Sequence, residues 1–372
     1  MSNTDLIPVS LLTGFLGSGK TTLLNHLVHQ PALSDTLVII NEFGEIGLDH
    51  LLVAHSEENV VVEMSSGCLC CTIRGDLQKT LKDAHWRFSR NAERRFNRVI
   101  IETTGLADPM PILHTLMADG YLAEHYRLDG VITTIDAANA MATLDAHQEA
   151  VRQAAVADLL LLTKTDLIDA AQLAALQQRL AGINPGAAQT AILNGAADAE
   201  SLLNLGLFKT EGKTLDVQKW LNEEAFEEDA DAHHGHHHAH DHDHDHEHGH
   251  GRKHAAHDDH AHDINRHDDH IRAFCFSFND PIDPVVFEEW LTLLLSLKGG
   301  DMLRIKGILN LVGRSGPTVI HGVQHIFHPT IELPEWPSAD HSTRIVFITR
   351  DIDKELIERT FDAFMRTQLR VG

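Results

Sequence analysis

The nine residues Gly14 to Thr22, GFLGSGKTT, constrain this chain more than any other stretch. They fit G-x-x-x-x-G-K-[ST], with an apolar run at 7–12 (IPVSLL) before them and a helix-like run at 20–29 after. Strand, glycine loop, helix is the context in which that pattern holds phosphate. Gly14, Gly17 and Gly19 let the backbone wrap close to an anion. The N–H groups of the loop, those of Ser18 and Thr22 included, and the positive helix start favour it. Lys20 is spaced to reach the terminal phosphates and Thr21 to bind Mg²⁺.

The remainder of the first half alternates strand-like and helix-like runs. Strands are expected at 7–12, 36–41, 59–63, 98–103, 130–135 and 158–162, and helices near 20–29, 73–86, 109–118 and 168–181. Such alternation predicts an α/β fold, a P-loop NTPase domain with a largely parallel sheet covered by helices on both faces. From residue 271 (IRAFCFSF) a smaller α+β domain is expected, with a helix at 283–296, strands through 302–328 and 344–349, and a final helix. At 372 residues and 43% hydrophobic the chain is long enough for two cores.

Between Glu223 and His270 stand 15 acidic and 3 basic residues and 17 of the 29 histidines, a net of −12 out of the chain's −24. This stretch has almost nothing apolar to bury and is expected to be a disordered linker. The boundaries are therefore 1–207, 208–270 and 271–372. The acidic balance argues against nucleic acid or an anionic membrane as partner. No run reaches the roughly 18 to 20 apolar residues a membrane helix needs, and the start lacks a basic leader, so the cytoplasm is the expected compartment.

Two further motifs suit a nucleotide site. RVIIETTGLADP is an apolar strand running into Glu102 and then Gly105, the places of a second acidic residue near Mg²⁺ and of a glycine that senses the γ-phosphate. The plainer reading of Glu102 is a carboxylate capping the next helix. LLLLTKTDL presents Thr163, Lys164, Thr165 and Asp166 after a buried strand. An aspartate there accepts both the ring N–H and the exocyclic amine of guanine, a pair adenine cannot supply, so GTP is favoured over ATP. A charged turn after a strand is the plainer alternative.

Three of the four cysteines crowd into SSGCLCCTIRGDL, at Cys68, Cys70 and Cys71. C-x-C-C cannot close a four-ligand site alone, so a further side chain, water or partner must complete it, as suits a metal that has to leave. NEFGEIGLDH (41–50) follows the second strand and offers Glu42, Glu45, Asp49 and His50. A carboxylate there beside the thiolates would tie metal binding to nucleotide state. Redox chemistry, or three buried small residues, are the alternatives.

GFLGSGKTTLLN, NEFGEIGLD, SSGCLCCTIRGDL, VIIETTGLADP and LLTKTD, in this order, resemble the CobW-like metallochaperone GTPases. RIKGILNL (304–311) and VIHGVQHIFHP (319–329) extend the resemblance into the second domain. It implies a GTPase that hydrolyses GTP to GDP and phosphate, with Mg²⁺, and carries a transition metal to a client metalloprotein. Zn²⁺ is the first choice, and cobalt or iron, for cobalamin or nitrile hydratase, the alternative; a buffering role is a further one. The carried-over residues are Gly14 to Thr22, Cys68, Cys70 and Cys71, and Thr163 to Asp166. Threonine stands at 163 where the family usually has asparagine. The His-rich run would scavenge Zn²⁺, Ni²⁺ or Co²⁺ for the thiolates, or act as a spacer. His321, His325 and His328 are expected on one strand, the first two on one face, and either a metal or a fold role is open to them and to His114.

Overall fold

The structure is a computed structural model that describes residues 6–40, 60–63, 72–88, 96–203, 205, 270–327, 330–336 and 338–368. β1 (Ile7–Gly14) is buried at every position and is the middle strand of a seven-stranded sheet. Its neighbours are β4 (Arg98–Glu102) on one side and β5 (Tyr126–Asp136) on the other. β2 (Thr36–Ile40) and β3 (Val60–Glu63) extend the β4 side, β6 (Leu159–Thr163) and β7 (Ala188–Ala191) the β5 side. All six pairings are parallel. Apolar runs without alternation are what a sheet covered on both faces needs, and both faces are covered.

Helices pack on each face. α1 (Lys20–Leu27) buries Leu23, Leu24 and Leu27 against Leu12, Ile40 and Ile132 on one side. The other side holds α2 (Thr72–Phe88), α3 (Met110–Ala118), α4 (Gly120–His125), α5 (Ala140–Ala146), α6 (Gln148–Ala155) and α7 (Ala170–Ile183). Of these, Leu77, Leu113, Leu122, Val151 and Leu180 share a core with Val9 and Leu11. α8 (Ala199–Leu202) closes the first described unit. After β1 the chain moves outward to β2, and after β4 it crosses to β5 on the far side of β1. That reversal opens a crevice at the carboxyl ends of β1 and β4, where α/β sheets bind ligands.

The second unit is an antiparallel sheet of β8 (Ile271–Phe278), β9 (Met302–Leu309), β10 (Thr318–Val323), β11 (Ile326–Phe327), β12 (Ile331–Glu332) and β13 (Thr343–Arg350). α9 (Pro284–Lys298) and α10 (Lys354–Gln368) cover one face, where Trp290 and Phe361 meet edge-on in one cluster with Phe276 and Phe347. Leu303, Val323 and Ile348 join the first unit's core instead. One expected detail changes. β10 ends at Val323, and Gln324 turns the chain at φ 55°, so His321 is a strand residue while His325 sits in the turn. There the His325 ring packs edge-on against His114 of α3, 5.3 Å between centroids. His328 lies outside the described residues.

A buried charge cluster joins the two units. Asp158, just before β6, accepts from Arg304 at 2.5 Å and Lys306 at 2.8 Å, both on β9, and from the Val131 N–H at 2.9 Å. Burial pushes the carboxyl up, but the two cations overcome it and hold Asp158 below the usual carboxylate range. Burial and the neighbouring Arg304 bring the Lys306 ammonium down to about 8. Among the described residues no helix is long and apolar enough to cross a membrane.

Candidate functional site

The glycine loop needs backbone geometry that side chains forbid. Gly17 and Gly19 adopt φ 72° and 93°, and Gly19 caps α1 in the left-handed region. At Gly14 a Cβ would fall 2.3 Å from the Thr134 hydroxyl, so only glycine lets β1 leave the sheet beside β5. Ser18 is buried, its hydroxyl 2.7 Å from that of Thr134. Lys20, also buried, donates back to the Gly14 and Phe15 carbonyls at 2.9 and 3.2 Å, which holds the ammonium over the loop. Thr22 is exposed on the first turn of α1.

Next to Lys20, the Thr21 hydroxyl donates to Glu102 Oε1 at 3.0 Å, across 81 residues of sequence. Glu102 is 1% exposed and ends β4, in register with Leu12 of β1. It therefore faces the loop, and the helix-cap reading fails. A hydroxyl and a carboxylate side by side are hard oxygen donors, a set that suits Mg²⁺. Gly105 follows one turn later and lies so close to Leu16 that a Cβ would be 2.6 Å from its backbone nitrogen. The expected γ-phosphate loop is thus folded onto the phosphate loop.

Thr163 ends β6 and its hydroxyl donates to the Ser18 carbonyl at 2.9 Å and the Ile135 carbonyl at 3.2 Å. The threonine therefore ties the phosphate loop to the end of β6 and to β5. Lys164 is left-handed, at φ 56°, and its ammonium is 2.7 Å from Asp136 at the end of β5. Burial pushes the Asp136 carboxyl up, while hydrogen bonds from Lys164 and Asn139 bring it below the ordinary range. Asp166 is exposed in a single 3-10 turn.

The structure adds residues the sequence reading passed over. Asp136 and Asn139, 2.9 Å apart, fix Lys164. The turn at Asn194 and Gly195, both with positive φ, closes on α1, where a Cβ on Gly195 would meet the Thr22 carbonyl at 2.8 Å. An acidic residue ending a buried strand, the signal that pointed to Glu102, also marks Asp136. Glu42, Cys68, Cys70 and Cys71 lie outside the described residues, as do Glu45, Asp49, His50 and the His-rich stretch. β2 ends at Ile40 and β3 at Glu63, on the same carboxyl side of the parallel sheet where Gly14, Glu102 and Thr163 end their strands. Among the described residues, no three His, Cys, Asp or Glu side chains group closely enough to hold a metal.

A profile described as CobW/HypB/UreG, nucleotide-binding domain, matches residues 8–191, and one described as the cobalamin synthesis protein cobW C-terminal domain matches 271–365. The zinc chaperone YjiA of Escherichia coli is 31% identical over 355 residues, covering 95% of this chain and 98% of its own. The chain belongs to the CobW family of P-loop GTPases. The zinc chaperone CobW of a Sinorhizobium species shares 26% identity over 98% of the chain and 99% of its own length. The zinc-regulated GTPase metalloprotein activator 1 of Dictyostelium discoideum shares 30% over 59% of the chain and 52% of its own. The crystal structure of zinc-bound YjiA superposes with a TM-score of 0.65 at 25% identity, over 96% of this chain and 99% of that one. The first profile match falls on the parallel-sheet nucleotide domain and the second on the separate antiparallel one.

Proposed function

We propose that this chain is a GTP-dependent metal chaperone, with zinc as its cargo. Zinc is held at Cys68, Cys70 and Cys71 with Glu42, and is given up to a client metalloprotein as GTP is hydrolysed. What supports this reading is the sheet itself: β2 and β3, the strands that precede those residues in sequence, end on the same carboxyl side of the parallel sheet as β4 with Glu102 and β1 with the phosphate loop. Thiolate sites bind late first-row metals so tightly that release is slow, and a site assembled partly from a nucleotide-ordered segment can be disassembled by hydrolysis.

In this reading Gly14 to Thr22 hold the phosphates, Lys20 balances their charge, and Gly105 reads the γ-phosphate. Asp166 reads guanine, while Thr163 and Lys164 shape its loop. Thr21 and Glu102 hold Mg²⁺, which would neutralise charge on the β- and γ-oxygens. Residues 1–207 form the GTPase domain, 208–270 a His-rich linker and 271–372 the C-terminal domain, in a reducing compartment such as the cytoplasm. Cobalt or iron is the alternative cargo, since the donor set accepts them. The test is release. In a single turnover of zinc-loaded protein with GTP and a chromogenic chelator, zinc should appear with the kinetics of phosphate formation. Zinc still bound after all GTP is spent would contradict the reading and favour buffering.

A further inference from the structure

Gln153, on α6, is 1% exposed and lies behind the Gly105 loop. Its Nε2 donates to the Gly105 carbonyl at 3.2 Å and the Ala107 carbonyl at 3.0 Å. One residue earlier, Arg152 holds Asp108 of the same loop at 3.1 Å. The Gln153 Oε1, by contrast, has no hydrogen-bond partner among the described residues. A methionine would fill the space without burying an unpaired oxygen. What the amide supplies is its two donated bonds, aimed at the loop proposed to read the γ-phosphate. Because peptide units are planar, fixing the Gly105 and Ala107 carbonyls from behind also sets the directions of the N–H groups of Leu106 and Asp108.

The far side of α6 belongs to the interface. Val151 and Val156 share a core with Leu303 of β9. Arg304 donates to the Val156 carbonyl, just past the end of α6, and to Asp158 two residues on. One helix of eight residues thus touches the hydrolytic loop through its buried amide and the C-terminal domain through Val151 and the residue that caps its end.

We infer that Gln153 is a positioning residue for GTP hydrolysis, and that α6 makes the Gly105 loop sensitive to how the C-terminal domain is docked at Asp158. The inference rests on the reading of Gly105 as the γ-phosphate loop. Any movement of the C-terminal domain, such as one imposed by a client, would then reach the hydrolytic loop without touching nucleotide.

The experiment is basal GTP turnover and nucleotide binding by the full chain, wild type against Gln153→Met, Arg304→Met and the double variant. Wild-type protein that fails to hydrolyse GTP would sink the underlying reading itself. With turnover present, Gln153→Met should lower kcat at least about fivefold and weaken the non-hydrolysable GTP analogue. GDP affinity should stay within about twofold, a split that a merely structural role would not produce. Arg304→Met should act in the same direction, and its effect should be much smaller in the Gln153→Met background. Unchanged kcat in Gln153→Met overturns the positioning role, and additive effects overturn the route through α6. Should Gln153→Met fold poorly, Gln153→Asn, which keeps the amide but falls short of both carbonyls, carries the same expectations.

Discussion

Thr163 shows at the scale of one residue how this site departs from a written motif. Its hydroxyl can donate one proton, yet two carbonyls, of Ser18 and Ile135, lie within reach, so the bond is shared between the phosphate loop and β5. Thr163→Val keeps the shape and removes the donor. It should cost about 1–2 kcal/mol, seen as a lower urea midpoint, and should loosen nucleotide binding as well. An unchanged midpoint and affinity would mean that the bridge contributes nothing. The places of the glycines, Lys20 and Thr21 in the loop were legible in the sequence because they depend on local spacing alone. Thr163 read only as a substitute for asparagine, because its partner Ser18 is 145 residues away. Gln153 gave no signal at all, being a single polar residue whose value lies in two carbonyls of a distant loop. Glu102 could be placed on its strand, but only the 3.0 Å contact with Thr21 decides against the capping role.

Among elements, the long apolar strands of the parallel sheet were legible, and so were α1, α2, α3 and α7. β5 begins at Tyr126, four residues before the expected start, because buried Asp129 pairs with both Arg127 and Arg98, which hides the strand character of these residues behind charge. α5, α6 and β7 were missed, since short and mixed in polarity they owe their form to packing rather than periodicity. The turn at 194–195 was missed as well. Its glycine gives a sharp expectation: Gly195→Ala must strain a φ of 75° and press a methyl onto the Thr22 carbonyl. A loss of about 1–3 kcal/mol in denaturant unfolding is expected, with weaker nucleotide binding because α1 is displaced. Wild-type stability in that variant would show the loop to be uncoupled from α1.

At the scale of the molecule, two units were legible from composition, but their union was not. The interface is centred on Asp158, Arg304 and Lys306, whose partners lie 146 and 148 residues apart in sequence, so no local pattern brings them together. Since Asp158 titrates lower in the folded protein than the ordinary unfolded value of about 3.9, the unfolded chain binds more protons between those two points. Its contribution to stability is therefore complete above about pH 4 and is lost as pH falls below that. Urea midpoints measured from pH 6 to pH 2 should fall more steeply for wild type than for Asp158→Asn, which has no proton to take up there. Parallel slopes would place the acid sensitivity elsewhere.

The central claim is that nucleotide state sets metal affinity. It is tested by competitive Zn²⁺ titration of the full chain in Mg²⁺ with non-hydrolysable GTP and again with GDP. The Cys68→Ser, Cys70→Ser, Cys71→Ser variant serves to subtract the histidine run. Linkage makes any coupling reciprocal, so GTP-analogue affinity should rise with zinc by the same factor. A cysteine-dependent site at least about tenfold tighter with the GTP analogue is the predicted result. Equal zinc affinities in the two nucleotide states would contradict it.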